Sequence, residues 1–376
     1  MKVLITGGNG FIGKNLQLYL AARKEVEILL FTRTNSVREL QAMLDGVDFI
    51  FHLAGINRPS DPAEFTSGNV ELTREICSAV ATVYQLTGKK VPILYTSSSQ
   101  AVIEGAYGVS KRAAERILRE FHDKFGIQVN IFRLPNVFGK WCKPNYNSVV
   151  ATFCHNIARN LPIRIDLPST PISLVYIDDV VESFLRLMDG VSGGLDESGF
   201  SIITPQYNTT VGDLAHQIQC FRDGRNKLMT ERVGTGLVRA LYATYVSYLP
   251  IESFVYSVPN YCDSRGVFVE MLKTPDCGQF SYFTAHPGVT RGGHYHHSKT
   301  EKFLVIKGRA RFRFQHMQTG VTHELLTAGD VAQVVESVPG WTHDITNIGS
   351  EDMVVMLWAN EVFDHVHPDT FAYPLQ

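Results

Sequence analysis

Five residues of apolar strand, KVLIT (Lys2 to Thr6), run straight into glycines spaced three apart: Gly7, Gly10 and Gly13 in TGGNGFIG. A glycine turn that leaves a strand and opens a helix lets backbone N–H groups close on a pyrophosphate at the helix N-terminus. Gly7, Asn9, Gly10, Phe11, Ile12 and Gly13 are therefore the expected cradle of a dinucleotide.

The strands that follow agree with this start. VEILLF (Val26 to Phe31), VDFIFHL (Val47 to Leu53), VPILYT (Val91 to Thr96) and VNIFRL (Val129 to Leu134) are nearly unbroken apolar runs. Parallel strands covered on both faces need that composition. Helical periodicity occupies the intervals Gly13 to Lys24 and Ala106 to Phe125. Strand–helix alternation predicts an α/β, doubly wound parallel sheet.

A chain of 376 residues exceeds one ordinary core, so a second domain is expected. After about residue 250 the texture changes to short β-rich runs between Gly, Pro and Asp: VFVEML, QFSYFTA, KFLVIKG, RARFRF, VAQVV and MVVMLW. These predict an all-β barrel or jelly roll. The expected domains are 1–250 and 258–376, joined through the proline-flanked stretch Leu249 to Pro259.

A net charge of −2 offers no basic field for nucleic acid or anionic lipid, which leaves a small-molecule substrate. No stretch approaches the roughly 20 apolar residues of a membrane span. The apolar run at the start is too short for a secretory signal. The six cysteines are scattered without a CxxC pair, as expected of reduced thiols in a cytoplasmic protein.

Arg33 stands about 20 residues beyond Gly13, at the end of the second strand. A guanidinium there suits a ribose 2′-phosphate, so NADPH is the expected cofactor, with Arg38 in reach to assist. Tyr107 and Lys111 form Y-x-x-x-K at the head of a helix and share one helical face. An ammonium beside the phenol is expected to lower its pKa and make it a proton donor to a carbonyl. The strand upstream ends in Thr96, Ser97, Ser98 and Ser99, any of whose hydroxyls can hold the carbonyl oxygen.

TGGNGFIG, FHLAG (Phe51 to Gly55), the serine run, YGVSK, RLPNVFG (Arg133 to Gly139) and LVYIDDV (Leu174 to Val180) occur in the order of the extended short-chain dehydrogenase/reductase family, which this half of the chain resembles. The resemblance implies a Rossmann-like sheet and aligns Ser98 best as the catalytic hydroxyl beside Tyr107 and Lys111, with Ser97 and Ser99 as its rivals. It adds Leu53, Ala54 and Gly55 to the cofactor site. Asn136, Lys140, Lys143 and Asn147 look like its substrate contacts, the two lysines facing a diphosphate. Members that dehydrate sugar nucleotides carry an acidic pair after the hydroxyl, whereas Ser99 and Gln100 stand here. A reductase is expected instead.

In the second half, GVTRGGHYHHSKTEKFLVIKG fits G(x)5HxH(x)4E(x)6G, and PGWTHDITN supplies Gly340, His343 and Asn347 in a second motif. These resemble the two motifs of the cupins. His294 and His296 project to one side of a strand. With Glu301 and His343 they form a set that suits one divalent metal, Zn, Ni, Mn or Fe, with Zn the first choice. DSRGVFVE (Asp263 to Glu270) resembles the opening of cupins that epimerise deoxysugars, where Arg265 either meets a nucleotide phosphate or forms a structural salt bridge.

A reductase fused to an epimerase-like cupin resembles the bifunctional enzymes of capsular polysaccharide biosynthesis. That resemblance implies a UDP-2-acetamido-2,6-dideoxy-hexos-4-ulose, inverted at C3 by the cupin and reduced at C4 by the first domain, and a homodimer. A cupin acting only as a binding module, or a non-enzymatic NADPH sensor, are the readings it competes with.

Overall fold

The computed structural model describes residues 1–376 except 60, 62, 192, 255–256, 260, 297–298, 318–319, 338–340, 367 and 376, and leaves the side chains of Val37 and Phe254 aside. Contacts divide the chain into two compact units, Met1–His216 with Ala243–Tyr248, and Gln217–Tyr242 with Leu249–Gln376. The segment 217–242, which helical periodicity alone attaches to the first half, thus groups with the second.

The first unit is built on a parallel sheet of β1 (Lys2–Thr6), β2 (Glu27–Phe31), β3 (Phe49–His52), β4 (Ile93–Ser98) and β5 (Val129–Leu134), in the order β2-β1-β3-β4-β5. Burial on both faces explains the apolar runs: Leu4, Ile50, Ile93 and Tyr95 are fully enclosed. Each such aliphatic side chain contributes about 1.5–3 kcal/mol relative to exposure. Strand order reverses between β1 and β3, and open parallel sheets bind ligands at such a reversal. A second, smaller sheet joins β6 (Asn136–Phe138), β7 (Pro171–Tyr176) and β8 (Tyr207–Thr210).

The second unit carries two antiparallel sheets. One has six strands in the order β16-β13-β18-β11-β10-β9, from β9 (Tyr261–Asp263), β10 (Gly266–Thr274), β11 (Gly278–Ala285), β13 (Glu301–Lys307), β16 (Val334–Glu336) and β18 (Met353–Ala359). The other has five in the order β15-β14-β17-β12-β19, from β12 (Thr290–Tyr295), β14 (Arg309–His316), β15 (Thr322–Ala328), β17 (Trp341–Asn347) and β19 (Phe371–Ala372). Phe283, Phe303, Phe312, Ile345 and Val355 fill the shared core. All six cysteines are free. Among the described residues no helix is long and apolar enough to cross a membrane.

Candidate active sites

Gly7 follows β1 with φ +72°, and a Cβ there would stand 2.6 Å from the Ala54 nitrogen. A Cβ on Gly13 would stand 2.4 Å from the Gly7 carbonyl oxygen. Only glycines let the β1 turn, the following helix and the loop after β3 approach this closely. That loop is Leu53 to Gly55, so the cradle residues and FHLAG meet at the strand-order reversal. The helix Phe11–Ala21 begins at Gly10 with no side-chain cap and no acidic residue in its first turn. Its N–H groups are left for an anion. The cradle therefore fits a dinucleotide pyrophosphate. Arg33 is exposed two residues beyond β2, beside β1, and Arg38 is exposed as well.

At the end of β4 the serine run resolves into separate tasks. The Ser97 hydroxyl donates to Glu115, which also accepts two bonds from Arg133. The Ser98 hydroxyl lies close enough to the Tyr107 phenol to favour its ionised form, and it accepts from the Gln100 N–H at 3.1 Å. Ser99 is exposed. The helix Ala106–Phe125 packs its first turn hard against the turn Ser99–Val102: a Cβ on Gly108 would stand 2.4 Å from the Ile103 carbonyl oxygen and 2.7 Å from that of Gln100. This contact sets Tyr107 against Ser98.

Lys111 is buried one turn on, its Nζ 3.0 Å from the Thr96 carbonyl oxygen and 3.3 Å from the Tyr95 hydroxyl. Desolvation pushes its ammonium down to about 8, with Glu115 opposing. The expected lowering of the Tyr107 phenol by Lys111 is corrected here. Burial raises that phenol, the Ser98 hydroxyl offsets part of the rise, and the ammonium turns to Thr96 and Tyr95 instead.

Two buried groups escaped the sequence reading. Asn69, in a π-helical turn (Thr66–Glu71), accepts from Ile56 N–H at 2.8 Å and donates to Ser110 Oγ at 2.9 Å. A Cβ on Gly55 would lie 3.0 Å from Lys111 Nζ and 3.2 Å from Asn69 Oδ1, so the three converge. His52 is enclosed between Thr6 and Thr73, and burial drives its imidazole down to about 3. A short π-helical turn is a signal for function, but periodicity does not reveal it.

The substrate segment is positioned differently residue by residue. Asn136 is exposed and its amide donates to the Ser173 carbonyl. Lys140 is paired with Asp178 at 2.7 Å, and its backbone carbonyl accepts from Asn15 in the first helix. Lys143 lies 5.1 Å from the centre of the Tyr146 ring, and Arg58, unassigned from sequence, lies 5.6 Å from the same centre. Asn147 is exposed.

In the second unit a bulge between Gly292 and His294 sets His294 opposite His343 across β12 and β17. The nearest nitrogens of His294, His296 and His343 stand 3.8, 3.1 and 3.3 Å from Glu301 Oε2. One ligand atom from each residue lies within 4.8 Å of the others. Ligands 2.0–2.1 Å from a tetrahedral Zn stand ~3.3 Å apart, so the set fits one such ion after small adjustments. The His294 Nε2 atom is buried without a hydrogen bond, as a nitrogen awaiting a ligand would be. Burial alone would raise the Glu301 carboxyl; the three imidazoles and Lys299 outweigh it and hold the group far below the usual carboxylate range.

Arg265 is bound to Asp263 through three contacts, so a salt bridge exists at the position where a phosphate contact was the other expectation. Tyr295 stacks on Phe371. His297, Pro339 and Gly340 lie outside the described residues.

Residues 3–202 match the NAD dependent epimerase/dehydratase family, and residues 261–371 match the polysaccharide biosynthesis C-terminal domain. A UDP-2-acetamido-2,6-beta-L-arabino-hexul-4-ose reductase of Pseudomonas aeruginosa is 59% identical over 99% of this chain and 98% of its own length. The crystal structure of the capsular polysaccharide assembling protein CapF from Staphylococcus aureus superposes with a TM-score of 0.90 at 39% identity, covering all of both chains. A UDP-glucose 4-epimerase of Thermotoga maritima shares the fold over 66% of this chain and 98% of its own, with a TM-score of 0.54 and 19% identity. The chain belongs to the NAD dependent epimerase/dehydratase family and carries a polysaccharide biosynthesis C-terminal domain after it.

Proposed function

We propose that this chain is a bifunctional sugar-nucleotide enzyme of surface polysaccharide synthesis. Its cupin inverts C3 of a UDP-2-acetamido-2,6-dideoxy-hexos-4-ulose, and its first domain reduces C4 with NADPH. The product is UDP-2-acetamido-2,6-dideoxy-L-talose, on the way to UDP-N-acetyl-L-fucosamine. One observation carries the reading: a Ser98–Tyr107 pair beside buried Lys111, and a cluster of three histidines with one glutamate, occur in a single chain.

NADPH, when bound in the cradle, supplies a hydride to the ketone carbon. Tyr107 gives its phenolic proton to the oxygen of that ketone, and Ser98 donates a hydrogen bond to the same oxygen. Lys111 holds positive charge near the phenolate left behind. Arg33 selects the 2′-phosphate. Leu53, Ala54 and Gly55 shape the wall opposite Gly7. Lys143, with Arg58 at the same ring, is the stronger candidate for the diphosphate, because Lys140 is already paired with Asp178. Asn136 and Asn147 are proposed sugar contacts.

In the cupin, a divalent cation, Zn by ligand type, would when bound supply positive charge against the negative charge that builds when a base takes the C3 proton. His294, His296, Glu301 and His343 hold it. Arg265 fixes the nucleotide end by exchanging part of its Asp263 pairing for a phosphate. A C4 ketone acidifies the C3 proton, so inversion precedes reduction, and reduction then locks the new configuration. Placing the reductase at 1–250 and the cupin at 258–376, in a cytoplasmic homodimer, completes the proposal, with 217–242 counted in the reductase by sequence order although its contacts group it with the second unit.

NADPH oxidation with the 4-ketosugar tests the reductase half. Tyr107→Phe should cut turnover by orders of magnitude and leave NADPH affinity nearly intact. Near-normal turnover would remove Tyr107 from the role.

A further inference from the structure

We propose that the C-terminal segment 369–373 is a positioning element for the metal cluster of the cupin, with Asp369 orienting His296. The inference rests on the metal reading above and adds to it residues outside both histidine motifs. The backbone carbonyl of Asp369 stands 2.5 Å from His296 Nδ1. A carbonyl only accepts, so Nδ1 must carry the proton, and the lone pair of the neutral ring falls on Nε2, the atom facing Glu301. Hydrogen bonds of this kind from the second nitrogen fix ring orientation and tautomer at metal centres.

The same segment grips the other ligands. Ala372 pairs with His294 and Phe371 with Tyr295, as β19 adds to the edge of β12. Tyr373 N–H donates to the Gly293 carbonyl at 2.7 Å. The Thr342 hydroxyl, next to His343, lies 3.2 Å from the His294 carbonyl oxygen and 2.6 Å from that of Tyr373. The Asp369 carboxylate accepts from Lys299 N–H at 2.8 Å, which anchors the loop leading to Glu301. The segment 369–373 thus touches His294 and His296 themselves, Thr342 next to His343, and Lys299 two residues before Glu301.

The test compares Zn2+ affinity, by chelator competition with elemental analysis, in three otherwise complete chains: the native one, one ending at Pro368, and Asp369→Ala. Melting temperatures are read with and without Zn2+. The shortened chain should bind Zn2+ about 10- to 100-fold more weakly. Asp369→Ala should shift affinity the same way by less. The Zn2+-induced gain in Tm should shrink in step with affinity. A purely structural role would lower the metal-free Tm and leave affinity alone. Unchanged affinity in a folded shortened chain overturns the proposal. If that chain does not fold, 15N NMR of the native metal-free chain decides instead, and a His296 ring whose proton sits on Nε2 and not on Nδ1 overturns the proposal. A native chain that takes up no metal refutes the metal reading itself, an outcome distinct from either.

Discussion

Gly108→Ala should cripple the reductase from a position that bears no chemistry. The added Cβ would stand 2.4 Å from the Ile103 oxygen and 2.7 Å from the Gln100 oxygen, both backbone atoms that cannot rotate aside. Restoring ordinary contact means that the head of the helix Ala106–Phe125 retreats by about 1 Å from the turn Ser99–Val102. Alanine in place of glycine returns at most about 1 kcal/mol of helix propensity. Overpacking costs about 1–3 kcal/mol, so the net change is a modest loss of stability. Activity is more sensitive. Displacing reacting groups by about 1 Å can cost 100-fold in rate, and Tyr107 moves with the helix away from Ser98. Steady-state NADPH oxidation should therefore show kcat down by about two orders of magnitude, with Tm a few degrees lower and NADPH Kd, by fluorescence titration, nearly unchanged. Normal kcat in Gly108→Ala would refute the claim that this contact sets the catalytic geometry.

Other outcomes follow from the same geometry. Arg33→Ala should erode the NADPH over NADH preference in kcat/KM by about 10- to 100-fold, as loss of a charge-assisted bond worth roughly 1.5–3 kcal/mol requires; an unchanged ratio moves the phosphate contact elsewhere. Because burial lowers the Lys111 ammonium to about 8, kcat/KM for the cofactor-free enzyme should fall as pH rises through that value. Lys111→Arg, charged throughout, should lose that limb if it remains active, and a limb that persists belongs to another group. His52 titrates near 3 when folded but near 6.5 when unfolded, so the unfolded chain binds the extra proton and stability falls as pH drops below 6.5. Between pH 6.5 and 5 the loss is about 2 kcal/mol by denaturant titration, and a His52→Gln chain that shows the same loss would contradict this.

What was legible depended on which atoms do the work. Parallel strands β1 and β3 to β5 are visible because burial on two faces forces apolar runs. The cluster of His294, His296, Glu301 and His343 is visible because its four side chains fall at fixed spacings. By contrast β17, WTHDITN, does not look like a strand, although six of its seven residues are buried. Three of its polar side chains, Thr342, Asp344 and Asn347, find hydrogen-bond partners inside the fold. Asp369 is invisible in sequence because a backbone carbonyl acts on His296, and any residue supplies one. Gly108 reads as an ordinary helix residue until Ile103 and Gln100 are seen beside it. The choice among Ser97, Ser98 and Ser99 likewise needed Glu115 in place, since only a long-range contact removes Ser97.

The central claim is that one chain inverts C3 and then reduces C4. Its most direct measurement is NMR and mass spectrometry of the product formed by the complete protein from the UDP-4-ketosugar and NADPH in heavy water. The account predicts a UDP-2-acetamido-2,6-dideoxy-L-talose carrying deuterium at C3 and protium from NADPH at C4, with C3 labelling lost in His343→Ala. A reduced sugar that keeps both its C3 proton and its original C3 configuration would contradict the account and leave the cupin a binding module.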